Sequence, residues 1–397
     1  MKDYTIAREK ALQITGLLKN RALGALLIFT RAGKDPALPL LVNAKTINPA
    51  AHFFLPDGNH TLIAKREDCE LLEETGIFKK IIPYNREIGE EFLRFFSSLD
   101  PSSLALNFSR EDHLCDGLSL GLYLQLEEFL GQERLKKIEV SSEPVLKYLR
   151  GVKSPTEQKR IRQAVKITCD IYDRVFTRVK PGMTEKEIGE LFASHFDEFG
   201  VTNGIEGGQS PPMVLITRAG MAHRKPGDTR VQPGDIVVMD ASVRYENYCS
   251  DIARSLYFLK PGEKSPPEKV TKAFRTVVAA IDASIAALKP GTKGWEVDAE
   301  GRRVIEEGGY PTIRHSVGHQ VGIACHDGGT RLGPRKPGRE DVEGIIQAGE
   351  IYAIEPTVLQ DDPEDPCFIV EEDVLVRDEG PEILSRRQTE LVCIPSN

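Results

Sequence analysis

Residues 239–255 read "MDASVRYENYCSDIARS". Both flanks have the character of strands, and each carries one aspartate, Asp240 and Asp251. A fold-back at Tyr245-Glu246 sets the two carboxylates directly opposite each other. Like charges at that spacing destabilise a sheet. The stretch therefore reads as a hairpin that needs something else in the chain to neutralise it.

Further strand-like stretches lie around it: "DIVVMDASV", "NYCSDIARSLYF", "EIYAIEPTVL" and "FIVEEDVLV". Together they suggest an antiparallel sheet. A weak internal repeat accompanies them. "VKPGMTEKEIGELF" from Val179 and "LKPGTKGWEVDAEG" from Leu288 align through Lys-Pro-Gly, Glu187 with Glu296, Ile188 with Val297 and, further on, Gly200 with Gly309. Each copy reads as a Pro-Gly turn, a helix and a terminating glycine. Two copies suggest one domain of two similar halves, with the repeated helices covering one sheet face.

Upstream, "TEQKRIRQAVKITCDIYDRVFTRV" has a long helical period, with Pro155 suited to its start. The boundary is placed near residue 148, giving domains 1–148 and 149–397. The first alternates helical patterns ("IAREKALQITGLLKNRA", "IGEEFLRFF", "GLYLQLEEFL") with short strands ("LGALLIF", "HTLIAKRED", "KKIIPY", "SLALNFS") and reads as α/β.

Composition excludes several classes. Net charge is −8 with no basic block, so nucleic acid and anionic membrane are poor partners. No apolar run reaches the roughly 20 residues of a spanning helix. "MKDYTIAREK" has no signal-peptide core. Seven cysteines without a CxxC pair point to reduced thiols and a cytoplasmic location.

Acidic residues recur inside the strands of the second domain. They are Asp240 after "IVVM", Asp251 in "YCSDIA", Glu355 in "IYAIEP" and Glu372 in "FIVEEDVLV", beside the Gly-bounded His319 of "HSVGHQVG". One such carboxylate is ordinary at a sheet edge. Several in buried strands must be paired, protonated or metal-bound. Two divalent cations could share such a cage, and oxygen-rich ligation with one imidazole suits Mn, Co, Fe(II) or Zn.

At "MDASVRYENYCSDIAR", "HSVGHQVGIACHD", "GEIYAIEP" and "IVEED" the chain resembles the pita-bread metallopeptidases, the group of aminopeptidase P, prolidase and methionine aminopeptidase. The first domain resembles their creatinase-type N-terminal domain. The resemblance implies an α+β fold: a curved antiparallel sheet covered by helices with pseudo-two-fold symmetry, preceded by a smaller α/β domain. It implies two divalent metal ions, Mn or Co first and Zn or Fe next, held by Asp240, Asp251, His319, Glu355 and Glu372. Asp251 and Asp240 would serve one metal, His319 and Glu355 the other, and Glu372 both. Glu355 would act as general base or proton shuttle on a bridging hydroxide. His223 and His326 would flank the scissile carbonyl. His315 fits the pattern but reads as structural, and Cys249 and Cys325 as packing. The implied activity is hydrolysis of Xaa-Pro bonds at peptide N-termini or in dipeptides, by a cytoplasmic homodimer.

Departures from the pattern bear on specificity. Val370 stands two before Glu372, where aminopeptidase P and prolidase carry Arg, which makes relaxed or non-proline specificity an alternative. Gln320, Ser242 and Thr357 replace glycines and could narrow the cleft. Three rivals are weaker: a non-catalytic binding protein of the same fold, metal-free creatinase-like hydrolysis, and a serine hydrolase built on "GLSLG" at 117–121.

Overall fold

The computed structural model describes residues 2–221 and 224–395. The chain divides into two compact units, 1–150 and 151–397. The first holds a six-stranded mixed sheet, in spatial order 80–84, 61–65, 50–54, 25–30, 104–106 and 139–141. Its centre, Ala25–Thr30, is buried at every position, as expected of a strand covered on both faces. Helices Gly89–Leu99 and Leu120–Leu130 pack Phe92, Phe96, Leu122 and Leu126 onto it. Strands Ala50–Phe54 and Glu139–Ser141 join the four foreseen from the sequence.

Ser119, the supposed nucleophile of "GLSLG", is the N-cap of helix Leu120–Leu130, its hydroxyl accepting from the Leu122 amide at 3.4 Å. Gly117 is required there for a different reason. A Cβ at that position would lie 1.7 Å from Oδ2 of the buried Asp35. The motif is therefore helix-start chemistry.

The second unit is built twice over. Helix Pro155–Phe176 begins at a capping box in which Glu157 accepts from the Ser154 amide at 2.7 Å. A turn with Gly182 at φ 86° leads to helix Glu185–Ala193, started by a Thr184/Glu187 capping box. Helix Glu268–Ala287, Gly291 at φ 92° and helix Gly294–Glu307 repeat the plan. The repeat read from the sequence is thus a structural one. Each half owns a four-stranded sheet, ordered 392–394, 252–258, 236–241, 213–216 and 318–320, 351–354, 372–375, 382–383. The second is antiparallel throughout, while in the first Val392–Ile394 joins in parallel. Val277, Ile281, Val297 and Ile305 of the second helix pair form one core with Tyr352, Ile354 and Val374 of that sheet.

The opening hairpin turns one residue later than its sequence suggested. Arg244 pairs with Cys249 and Tyr245 with Tyr248, leaving Glu246 and Asn247 as the two-residue turn. Their φ values, 45° and 70°, are those of a mirror-type turn that suits right-twisted strands. Asp240 therefore faces Ala253, not Asp251. The shift makes the two aspartates diagonal neighbours on one face, a looser spacing than the direct opposition expected.

Candidate metal centre

Both sheets deliver side chains to one cavity of about 510 Å³. Asp240 comes from strand Ile236–Ala241, and Asp251 from the bend before strand Ile252–Phe258. His319 lies in strand Gly318–Gln320, Glu355 follows strand Ile351–Ile354, and Glu371 precedes strand Glu372–Leu375. All five line the cavity.

Asp251, His319 and Glu371 are buried, and each offers a ligand atom within 4.8 Å of the others. His319 Nε2 lies 3.4 Å from Asp251 Oδ2 and 3.8 Å from Glu355 Oε1. Its Nδ1 is 3.2 Å from the Gln320 carbonyl oxygen. A proton on Nδ1 is thereby satisfied, and the Nε2 lone pair points into the acids, the arrangement a metal-binding imidazole needs. Burial, then the neighbouring His326, pushes the His319 pKa down to about 3, so the ring is neutral and forms no ion pair with Asp251.

The carboxylates are strained in the opposite sense. Burial, then the charge of Asp240, raises Glu355 to about 8 and Asp251 well above the usual range. Glu371 is raised by burial and then by Asp251. Buried acids that suppress one another's ionisation, next to a neutral imidazole, are what divalent cations would stabilise. The donor set fits such a group, and oxygen-rich ligation with one nitrogen favours hard or borderline metals.

One expected ligand is corrected. Glu372 does not enter the cavity. Its Oε2 is 2.9 Å from Arg254 Nη2 and also meets the Ser385 hydroxyl, while its Oε1 accepts from the Gln388 amide at 3.1 Å. The reason is strand alternation. Ile369 and Glu371 line the cavity, whereas Val370 and Val374 belong to the core. Glu372 shares the core-side parity and is neutralised there by buried Arg254. That arginine also donates from Nη1 to the Glu371 carbonyl at 2.6 Å, holding the strand from behind. The place expected to carry Arg is correspondingly Ile369 on the cavity wall, with Val370 buried.

The remaining expectations divide. His326 lines the cavity, its ring 4.2 Å from that of His319 and tilted by 32°. His223 lies outside the described residues. His315, read as structural, also lines the cavity, with Nε2 2.9 Å from the Thr357 hydroxyl. Thr357 is thus a cavity residue. Gln320 points away, donating to the Tyr352 hydroxyl at 3.1 Å. Ser242 packs on Gly204, where a Cβ would approach its hydroxyl to 1.8 Å. Cys325, read as packing, places Sγ 2.7 Å from Asp251 Oδ2.

The rest of the cavity has two characters. Ile205, Met213, Leu215, Met221, Leu359 and Ile369 form an apolar wall, and Met213 is the cross-strand partner of Asp240. Arg314 and Arg331 supply positive charge, with Arg331 close enough to oppose the raised pKa of Glu355.

The buried acid–imidazole cluster draws on both duplicated half-sheets, an arrangement of the pita-bread type. Residues 159–378 match the model of metallopeptidase family M24, and the chain belongs to that family. It resembles an uncharacterized peptidase of Staphylococcus aureus strain MW2, 30% identical over 246 residues, or 60% of this chain. That match spans 64% of the relative's length. Among solved structures, an Xaa-Pro dipeptidase from Bacillus anthracis superposes with a TM-score of 0.70 at 20% identity, covering 98% of this chain and all of the other. Dipeptidase PepE from Mycobacterium ulcerans gives 0.70 at 22% identity with both chains fully covered. An X-Pro aminopeptidase from Thermotoga maritima gives 0.67 at 21% identity, covering 97% and 99%. These likenesses establish the fold over the whole chain. Among the described residues no helix is long and apolar enough to cross a membrane.

Proposed function

We propose that the protein is a metal-dependent exopeptidase that hydrolyses Xaa-Pro bonds, with dipeptides preferred over longer peptides. The observation that carries this is the convergence of Asp240, Asp251, His319, Glu355 and Glu371 on one cavity that also holds His326. The names of the Bacillus anthracis and Thermotoga maritima proteins support the Xaa-Pro assignment. Arg314 and Arg331 favour a substrate with a free carboxylate close to the scissile bond.

Asp240, Asp251, His319, Glu355 and Glu371 would hold two divalent cations, Mn or Co before Zn or Fe. Bound there, such cations supply Lewis acidity and lower the pKa of water. The chain's own residues do the rest. Glu355 accepts a proton from the attacking water and returns it to the leaving nitrogen. His326, beside His319, donates to the scissile carbonyl oxygen as negative charge develops on it, and His223 is assigned the same duty from the family resemblance. The apolar wall takes the side chain of the first residue.

A second reading, relaxed specificity, is favoured by Ile369, which puts an aliphatic side chain where the family pattern has Arg. We assign the active form as a cytoplasmic homodimer, for which a sedimentation mass of one chain would be the contrary result.

The deciding assay compares Xaa-Pro dipeptides, Xaa-Pro-peptides and Met-peptides on protein stripped of metal and reloaded with Mn, Co or Zn. Xaa-Pro dipeptides should be cleaved fastest, and only after reloading. Equal activity in the presence of a chelator would overturn the proposal, and faster cleavage of Met-peptides would select the second reading.

A further inference from the structure

Lys153 is a buried lysine with no part in the chemistry just described. Its side chain is fully shielded from solvent, and Nζ lies 3.0 Å from Oδ2 of Asp327, which is itself 1% exposed. Asp327 directly follows His326. Its other carboxylate oxygen accepts from the Ala324 amide at 3.1 Å, and its own amide donates to the Gln320 carbonyl at 2.9 Å. The carboxylate therefore closes the loop that leaves the His319 strand and carries His326. The loop is tight. A Cβ at Gly322 would come within 1.9 Å of Asp327 Oδ2 and 2.9 Å of Lys153 Nζ.

The lysine is fixed as firmly as its partner. Its amide donates to the Gly349 carbonyl at 2.9 Å, and its carbonyl accepts from Gln158 Nε2 at 2.9 Å. Its charge also bears on Glu350, which accepts from the Tyr352 hydroxyl at 2.8 Å, and that hydroxyl accepts from Gln320. A buried polar network thus lies on the side of the His319 strand away from the cavity.

Buried ion pairs are poor stabilisers, because desolvation offsets most of their attraction. Their geometric effect is what remains. His326 is exposed and stands over His319 in the loop that Asp327 closes, one residue before the buried pair. We infer that Lys153 is a positioning residue for His326, acting through Asp327. The inference rests on the proposed role of His326 at the scissile carbonyl.

The test is a double-mutant cycle on the metal-loaded, full-length enzyme, with Lys153→Met made alone and with His326→Ala. Metal content and melting temperature are measured on each protein, and kcat and KM on one Xaa-Pro dipeptide. Lys153→Met should keep its metal and lower kcat by about 10- to 100-fold, since a small misplacement of a catalytic group costs that much. KM should stay within about 3-fold, because substrate binding is not what the pair orders. In the His326→Ala background the same change should cost less than about 3-fold. An equal loss in both backgrounds, or a loss explained by missing metal, would overturn the role of Lys153. A His326→Ala enzyme as active as its parent would instead overturn the role of His326. If Lys153→Met does not fold, Asp327→Asn carries the same cycle.

Discussion

Replacing Glu371 and Glu372 by glutamine, one at a time, should give opposite results from adjacent residues. Glu372 is buried against Arg254 at 2.9 Å, and Arg254 is itself only 4% exposed. Neutralising the carboxylate leaves that guanidinium charge buried without its counter-ion, a loss of about 3–5 kcal/mol. The amide can still meet Ser385 and the Gln388 amide, which places the expected value near the lower end. For a unit of this size about 1 kcal/mol moves the melting temperature by roughly 2–4 °C, so metal-free Glu372→Gln should melt about 6–12 °C lower. Glu371 behaves otherwise. Its ligand atom is within 4.8 Å of those of Asp251 and His319. Two carboxylate charges at such a distance repel by on the order of 3 kcal/mol at an effective dielectric constant near 20, and the acids avoid this by holding protons. Glu371→Gln should therefore leave the metal-free protein as stable or more stable, while metal affinity falls by at least about 10- to 100-fold. Thermal melts of the stripped proteins and metal analysis after dialysis read both effects. A Glu372→Gln protein that melts normally but binds no metal, beside a destabilised Glu371→Gln that binds it, would refute the strand parity on which the site is built.

Three further outcomes are expected. Asp251, Glu355 and Glu371 have raised pKa values in the fold, so the native protein holds more protons than the unfolded chain above the ordinary carboxylate range. Metal-free protein should accordingly lose stability as pH rises from about 4.5 through about 8, the value for Glu355, and added Mn should raise the melting temperature more at pH 8 than at pH 5; a flat profile would count against the acid cluster. Ser119→Ala should cost about 1 kcal/mol as a lost helix cap and leave peptidase activity intact, whereas abolished activity in a folded variant would revive the serine-hydrolase reading. Ile369→Arg should cut cleavage of dipeptides with a large apolar first residue relative to Gly-Pro by about 10-fold, and an unchanged ratio would remove Ile369 from the specificity surface.

Much of this architecture is legible in the sequence, for identifiable reasons. Asp240, Asp251, His319 and Glu355 each interrupt an apolar stretch with a charge or imidazole that a core does not tolerate unaided, and all four reach the cavity. The two Lys-Pro-Gly turns mark the duplicated halves because each ends in a glycine at positive φ and leads into a capped helix. Glu371 is masked in the sequence by its neighbour Glu372. The strand is buried on both faces, so alternation of apolar and polar residues could not say which glutamate points where. Only pairing does, since the Glu371 amide donates to the Ala253 carbonyl and Glu372 sits opposite Ile354. The hairpin register is ambiguous in the sequence for a local reason. Asn247 is a good left-handed turn residue, and placing the turn on Glu246-Asn247 brings the pairing into line. Strand Ala50–Phe54 escaped because "AAHFF" has neither alternation nor β-branched residues.

The duplicated plan divides the ligands unequally between the halves. The first supplies Asp240 and Asp251, and the second supplies His319, Glu355 and Glu371. Neither half alone offers more than a fragment of the donor set, so the set is complete only after the halves have docked. Under the proposed function, metal capture would report completed folding of this unit, and a partly folded chain would have no assembled site. The cation would work as a proofreader of assembly as well as a catalyst, withholding peptide-bond chemistry from every intermediate that precedes the native state.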